Sequence, residues 1–216
     1  MKWLHAAVGI ILLGALAVGA DKKELKAIFD KSSLGKVPPG WTVARTGKGE
    51  GSAWKVVADE TAPSRTGVAL AQVAESPSAV FNLCVADASR FQNVDVSVAF
   101  KAIKGQIDQG GGMVWRYQDK DNYYICRMNP LENNYRLYKV VAGKRLQLAT
   151  RERLAIKVNE WHKLKVEMEG DQIRCYLDGE KILEGKDDTF KTAGKVGLWS
   201  KADAQTHFDE FKAVEK

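Results

Sequence analysis

The sequence predicts an all-β fold in which antiparallel strands form two packed sheets, a sandwich. Three observations lead to it. From residue 41 onward the chain is a series of short runs of alternating apolar and polar side chains, broken by Gly, Asp and Asn. Asp178-Gly179 lies between two such runs and is a strong hairpin signal, because both central residues of that tight turn take positive φ. No helical segment of about ten residues or more separates any two runs, which removes a βαβ reading.

Taken in order, residues 1–20 read as a cleavable secretory signal. Lys2 is the positive start, the stretch from Ala6 to Leu16 is apolar, and Val18-Gly19-Ala20 offers small residues before Asp21-Lys22-Lys23-Glu24. A membrane anchor is the alternative, but the apolar core falls short of the roughly 20 residues that a spanning helix needs. Export to the periplasm or beyond is therefore expected, with no stable membrane span after cleavage. Residues 21–40 are a short helix or a tethered arm, with Leu25, Ile28 and Phe29 at helical spacing, ended by Pro38-Pro39-Gly40.

The domain proper is expected over 41–216. Its strands are expected at 41–46, 53–58, 67–74, 78–85, 94–102, 112–117, 123–128, 135–141, 145–149, 161–168, 172–177, 180–184, 195–200 and 206–214. Within these, Val94, Val96, Val98 and Phe100 share one face by the period of two. So many strands must divide between two sheets rather than extend one.

Composition narrows the function classes. The chain has 216 residues and a formal charge of +6, with Lys and Arg scattered rather than blocked. Scattered charge reads as solvated surface, with attraction to an anionic glycan as the sharper alternative, and no basic stripe suggests nucleic acid. The three cysteines, Cys84, Cys126 and Cys175, are an odd number for an exported protein. Buried free thiols are one reading; a Cys126–Cys175 disulfide is the other. No Cys/His cluster has metal-ligand spacing, so neither metal nor cofactor is expected. A monomer is the expectation.

The stretch Gly-Gly-Met-Val-Trp-Arg-Tyr-Gln-Asp-Lys-Asp-Asn-Tyr-Tyr-Ile-Cys-Arg over 111–127, followed by Leu-Tyr-Lys-Val-Val-Ala-Gly-Lys over 137–144, resembles the concanavalin A-like, laminin-G-like jelly rolls. Trp161-His162-Lys163-Leu164, Cys175-Tyr176-Leu177-Asp178-Gly179 and Gly194-Lys195-Val196-Gly197-Leu198-Trp199 extend the likeness. More narrowly, the chain is similar over about residues 34–214 to bacterial exported proteins carrying the 3-keto-disaccharide hydrolase domain. The resemblance implies a jelly roll whose concave sheet carries the ligand, and an activity on 3-ketoglycosides.

The hairpin 115–127 is the candidate binding site. Trp115, Tyr117 and Tyr124 offer flat rings to a pyranose, and Arg116, Asn122 and Arg127 offer planar hydrogen-bonding groups, with Tyr138 on the next strand. Pairing 116 with 124 would put Arg116 and Tyr124 on one face; a shift of one residue exchanges the second strand's partners. The competing reading is an ordinary sheet whose Tyr and Arg side chains cover one another.

Catalysis has a thinner basis. Glycosidases of the usual kind need two carboxyl groups about 5–10 Å apart; Glu167-Met168-Glu169-Gly170-Asp171 runs into a turn and reads as a solvated strand end. His207 alternates with Asp209 on the last strand. If the resemblance carries activity, a ketone would acidify the adjacent C–H, so one base suffices. His207 or Asp119 would be that base, and Arg116 or Arg127 the stabiliser. The functional expectation is an exported carbohydrate-binding module of the cell envelope. A 3-ketoglycoside hydrolase or lyase is the alternative, and a structural or protein-interaction sandwich the third.

Overall fold

The computed structural model describes residues 22–216, so the expected signal segment lies outside the described residues. Among them are fifteen strands and a single 3-10 turn, Lys31–Ser33. No helix among the described residues is long and apolar enough to cross a membrane.

Sheet A contains β1 (Glu24–Ala27), β3 (Trp54–Ala58), β4 (Val68–Gln72), β6 (Val94–Lys104), β11 (His162–Glu169), β12 (Gln172–Leu177), β13 (Glu180–Lys186) and β15 (Gln205–Glu215). Its order is β13-β12-β11-β6-β15-β4-β3, and β1 adds to β15. Sheet B contains β2 (Trp41–Thr46), β5 (Phe81–Ala86), β7 (Gly111–Asp119), β8 (Asn122–Asn129), β9 (Asn134–Val141), β10 (Lys144–Glu152) and β14 (Lys195–Lys201). Its order is β10-β9-β8-β7-β14-β5-β2. All the strand pairings within the two sheets are antiparallel. This is the expected two-sheet jelly-roll sandwich.

The core lies between the sheets. Val94, Val96, Val98 and Phe100 of β6 point into it, as their alternation predicts, and meet Met113, Trp115, Tyr124 and Cys126 of sheet B. Trp115 stacks on Tyr124 with centroids 5.6 Å apart, and its Nε1 donates to Met168 Sδ at 2.9 Å. All three cysteines are free and buried. Burial and a hydrogen bond with Cys126 raise the pKa of the Cys175 thiol.

One expectation needs correction. Residues 24–27 are not helical: they form β1, paired Glu24↔Val214 through Ala27↔Phe211. Leu25 and Ala27 pack on the core with the period of a strand, and Phe29 is buried edge-on against Trp41 at 5.9 Å. The helical spacing of Leu25, Ile28 and Phe29 was coincidental, since Ile28 is exposed. The hairpin register, which the sequence left open, is also fixed. Trp115, not Arg116, pairs with Tyr124, and Asp119 pairs with Asn122, with a bulge between. The bulge holds Arg116 at φ 44° and turns its side chain off the regular alternation.

Candidate functional site

Sheet B is rolled, so that strands far apart in its order come into contact. Thr46 of edge strand β2 hydrogen-bonds Tyr123 Oη of β8 at 2.6 Å, although three strands separate them in the sheet order. The Arg145 guanidinium, on the opposite edge strand β10, lies 5.0 Å from the ring centroid of Phe81 on β5. The concave face therefore closes over a second apolar cluster of Phe81, Leu83, Val85, Val114, Tyr123, Ile125, Val140 and Trp199. Its small-residue position is Gly112, beside Trp199 in the β7–β14 pairing, where an added Cβ would overlap the Cys126 carbonyl of β8.

At one end of this face the lining is polar. Arg127 is 1% exposed; it donates to Asn134 Oδ1 at 2.6 Å, Glu132 Oε2 at 2.7 Å and Tyr138 Oη at 3.3 Å. Arg136 joins Glu132 at 3.2 Å and Glu152 at 3.1 Å. These ion pairs outweigh burial and hold the Glu132 carboxyl down at about 2. The Glu152 carboxyl is also lowered, first by its hydrogen bond with Thr150 and then by Arg136. Neither is placed to donate a proton near neutral pH, so the two carboxylates do not make a glycosidase acid–nucleophile pair.

The outer face of sheet A carries a different constellation. His207 on β15 sits directly opposite Lys101 on β6. Asp59, at the end of β3, reaches both: Oδ2 lies 2.7 Å from His207 Nδ1 and 2.5 Å from Lys101 Nζ. Thr61 anchors the group, donating to Asp59 Oδ1 at 2.7 Å and accepting from Lys101 Nζ at 2.8 Å and Trp161 Nε1 at 3.0 Å. The half-buried Trp161 ring lies over the ammonium at 4.8 Å. The loop carrying Thr61 is pinned where the Ser64 amide donates to the buried Asp209 at 2.9 Å.

The electrostatics follow from the geometry. Burial would raise the Asp59 carboxyl, but Lys101, His207 and Thr61 together drive it well below the usual carboxylate range. Burial lowers His207 below its ordinary 6.5, opposed by Asp59 and reinforced by Lys101. At neutral pH the imidazole is therefore unprotonated, and its Nε2 has no hydrogen-bond partner among the described residues and is not enclosed. A carboxylate that orients a neutral imidazole through Nδ1 while Nε2 stays open is an arrangement suited to taking a proton. Among the described residues no three His, Cys, Asp or Glu side chains gather as metal ligands.

The expected site residues separate among these regions. Trp115 and Tyr124 lie between the sheets, with Tyr124 Oη donating to Asp187 at 2.6 Å. Arg116 is buried, and its three nitrogens donate to the carbonyls of Gln92, Phe190 and Gly170 at 2.7–2.9 Å, which holds three loops together. Asp119 and Asn122 bond each other at the exposed hairpin tip, and Tyr117 packs beside Tyr123. Arg127 and Tyr138 share the concave face of sheet B. His207 is on the other sheet, so Arg116, Tyr124 and His207 do not line one groove, and Asp119 does not meet His207.

Asp59, Lys101, Thr61 and Trp161 around His207, and Arg145 and Glu132 near Arg127, were not singled out from sequence. The one available signal was Lys101, a lone charge inside Val98-Ala99-Phe100-Lys101-Ala102-Ile103.

A family model described as a 3-keto-alpha-glucoside-1,2-lyase-like domain matches residues 24–213. No curated protein matches the chain. Among solved structures, the carbohydrate-binding module CBM66 from Bacillus subtilis aligns at 19% identity and TM-score 0.64, over 88% of this chain and 98% of the module. A β-glucanase from Bacillus licheniformis aligns at 13% identity and TM-score 0.58, over 89% and 98%. A putative glycosyl hydrolase from Parabacteroides distasonis aligns at 14% identity and TM-score 0.52, over 81% and 88%. At such identities these structures share the fold with this chain.

Proposed function

The chain belongs to the 3-keto-alpha-glucoside-1,2-lyase-like family, and from that premise we propose that it is an exported domain that cleaves a 3-ketoglycoside, with His207 as the base. Export is supported by Lys2, the apolar stretch to Leu16 and the small residues before Asp21. The observation that carries the chemistry is the open Nε2 of a neutral His207 held by Asp59.

A ketone at C3 acidifies the C2–H bond. His207 Nε2 takes that proton, and the electron pair passes into the enolate. The enolate then collapses to a C1–C2 double bond as the glycosidic oxygen leaves C1 with its bonding pair. The departing oxygen takes a proton from solvent or from the imidazolium. One base suffices, and the reaction needs no pair of carboxyl groups flanking the bond. The Trp161 face turned away from Lys101 would pack on the sugar ring, and the Lys101 charge favours negative charge developing nearby.

A non-catalytic carbohydrate-binding module is the second reading. It is favoured by Lys101, whose ammonium is already engaged by Asp59, Thr61 and the Trp161 ring. Incubation with a 3-keto-disaccharide separates the two. The enzyme releases the aglycone sugar together with an unsaturated keto sugar, and His207→Ala loses about 10²-fold or more of the rate. Unchanged turnover in the variant removes His207 as the base. Retention of glycan by a folded protein that turns nothing over replaces the lyase with the binding module.

A further inference from the structure

The formal charge of the chain is +6, and most of that surplus lies in one stretch. Residues 31–58 hold five cations, Lys31, Lys36, Arg45, Lys48 and Lys55, and a single carboxylate, Glu50, a surplus of four. The fold gathers these positions along one side of the sandwich. There β2 is last in the order of sheet B and β3 is last in the order of sheet A, and only residues 47–53 join them. Ser52 Oγ of that connection donates to the Ala44 carbonyl of β2 at 2.7 Å. Lys31 lies in the 3-10 turn, and the residues after it run along β3. The Gly35 amide donates to the Val56 carbonyl at 2.8 Å, and the Val56 amide donates to the Lys36 carbonyl at 2.9 Å. Lys36 is therefore one strand spacing from β3, the strand that carries Lys55.

All five cationic side chains are exposed, and none forms a salt bridge among the described residues. The opposite side is built differently. Its terminal strands β10 and β13 interleave their cations with Glu152, Glu180 and Glu184, and Glu152 and Glu184 pair with Arg136 and Lys181 at 3.1 and 2.7 Å. A lysine or two is enough to discourage strand pairing at an edge. Five cations without a counter-charge do more: they concentrate anions along a line, and β2 alone extends about 20 Å. The rings of this stretch turn inward, Trp54 onto Phe208 at 5.7 Å and Trp41 onto Phe211 at 5.2 Å. The side thus offers charge without an aromatic platform for a sugar ring or a base. Four of the five cations are lysines, point charges that suit phosphate, rather than the guanidinium fork that matches a carboxylate.

We propose that this side of the sandwich, from Lys31 to Lys55, is a docking surface for an extended polymer that carries a phosphate in every repeat and is held through those charges. The surface is separate from His207, which lies two strands inward on β15, and it does not depend on the reaction proposed there.

Calorimetric titration of the whole folded protein at low salt tests it, with inorganic polyphosphate as the probe and orthophosphate and poly-L-glutamate as comparators. Polyphosphate is expected to bind at least about tenfold more tightly than orthophosphate, because successive phosphates meet successive cations. Its binding should weaken about tenfold or more between about 50 and 200 mM salt. Lys36→Gln with Lys55→Gln should weaken polyphosphate binding about tenfold or more. Lys144→Gln with Lys186→Gln removes the same charge from the opposite side and should change binding by less than about twofold. Urea titration establishes that both double variants are folded. Absence of polyphosphate binding, equal losses in the two double variants, or poly-L-glutamate binding as tightly as polyphosphate overturns the proposal.

Discussion

The two outer faces of this sandwich bury charge by opposite means. On sheet A, Asp59, Lys101 and His207 satisfy one another, and the side chains of Lys101 and Asp59 are only 8% and 6% exposed. On sheet B, the half-buried Arg145 lies against rings and reaches no carboxylate among the described residues, and the face beneath it is a second apolar core. The first arrangement is complete and leaves one imidazole nitrogen open. The second is incomplete and has donors left over. The difference teaches that burial of a charged side chain is not by itself a mark of function; what matters is which of its atoms the protein has left unanswered.

The largest expected effect would break the first face. Lys101→Met removes one partner of a buried ion pair and leaves Asp59 with only His207 and Thr61, for an expected loss of about 3–5 kcal/mol. Urea denaturation measures it, and a loss below about 1 kcal/mol would mean that the pair is solvated as surface pairs are.

A smaller effect tests the second face. Gly112→Ala drives a methyl group into the β8 backbone beside Trp199, and overpacking of this kind costs about 1–3 kcal/mol. The same denaturation experiment reads it, with the fluorescence of Trp199 expected to shift. No loss would mean that the rolled sheet opens easily.

The smallest effect sharpens the contrast through pH. His207 binds its proton less readily folded than unfolded, so its contribution to stability is full above the ordinary histidine value of 6.5 and is lost as pH falls below it. Asp59, lowered as well, adds stability that persists above the usual carboxylate range and is lost only in stronger acid. His207→Gln should therefore flatten the stability profile between about pH 7 and 5 while leaving the steeper acid limb. Paired urea titrations across that range check it; an unchanged slope would show that the imidazole is not held neutral.

Much of the fold was legible because sheet A obeys its alternation. Its β6 run of Val94, Val96, Val98 and Phe100 faces inward and the intervening Asp95 and Ser97 face out, as a strand covered on one side must. Sheet B hides its logic, because both of its faces are buried. In β8 every residue from Tyr123 to Asn129 is buried, so no alternation could say which side Tyr123 or Tyr124 takes. The hairpin rich in Trp, Tyr and Arg is the place where two cores meet. The charged cluster on sheet A joins a loop, a mid-strand lysine and the last strand, residues 59, 101 and 207. Only tertiary pairing brings such positions together; His207 was visible from sequence, and its partners were not.

The strand β1 sets where this domain can be cut. It completes the edge of β15 over residues 211–214, and its continuation lays Phe29 on Trp41, which in turn packs edge-on against Phe211 at 5.2 Å. A fragment trimmed to residue 41, as strand counting alone would suggest, loses that cover and exposes a bare hydrogen-bonding edge. Such an edge is a template for another chain. Expression fragments should therefore keep the arm, and a poorly soluble shorter fragment would reflect its missing border rather than a failure of the sandwich.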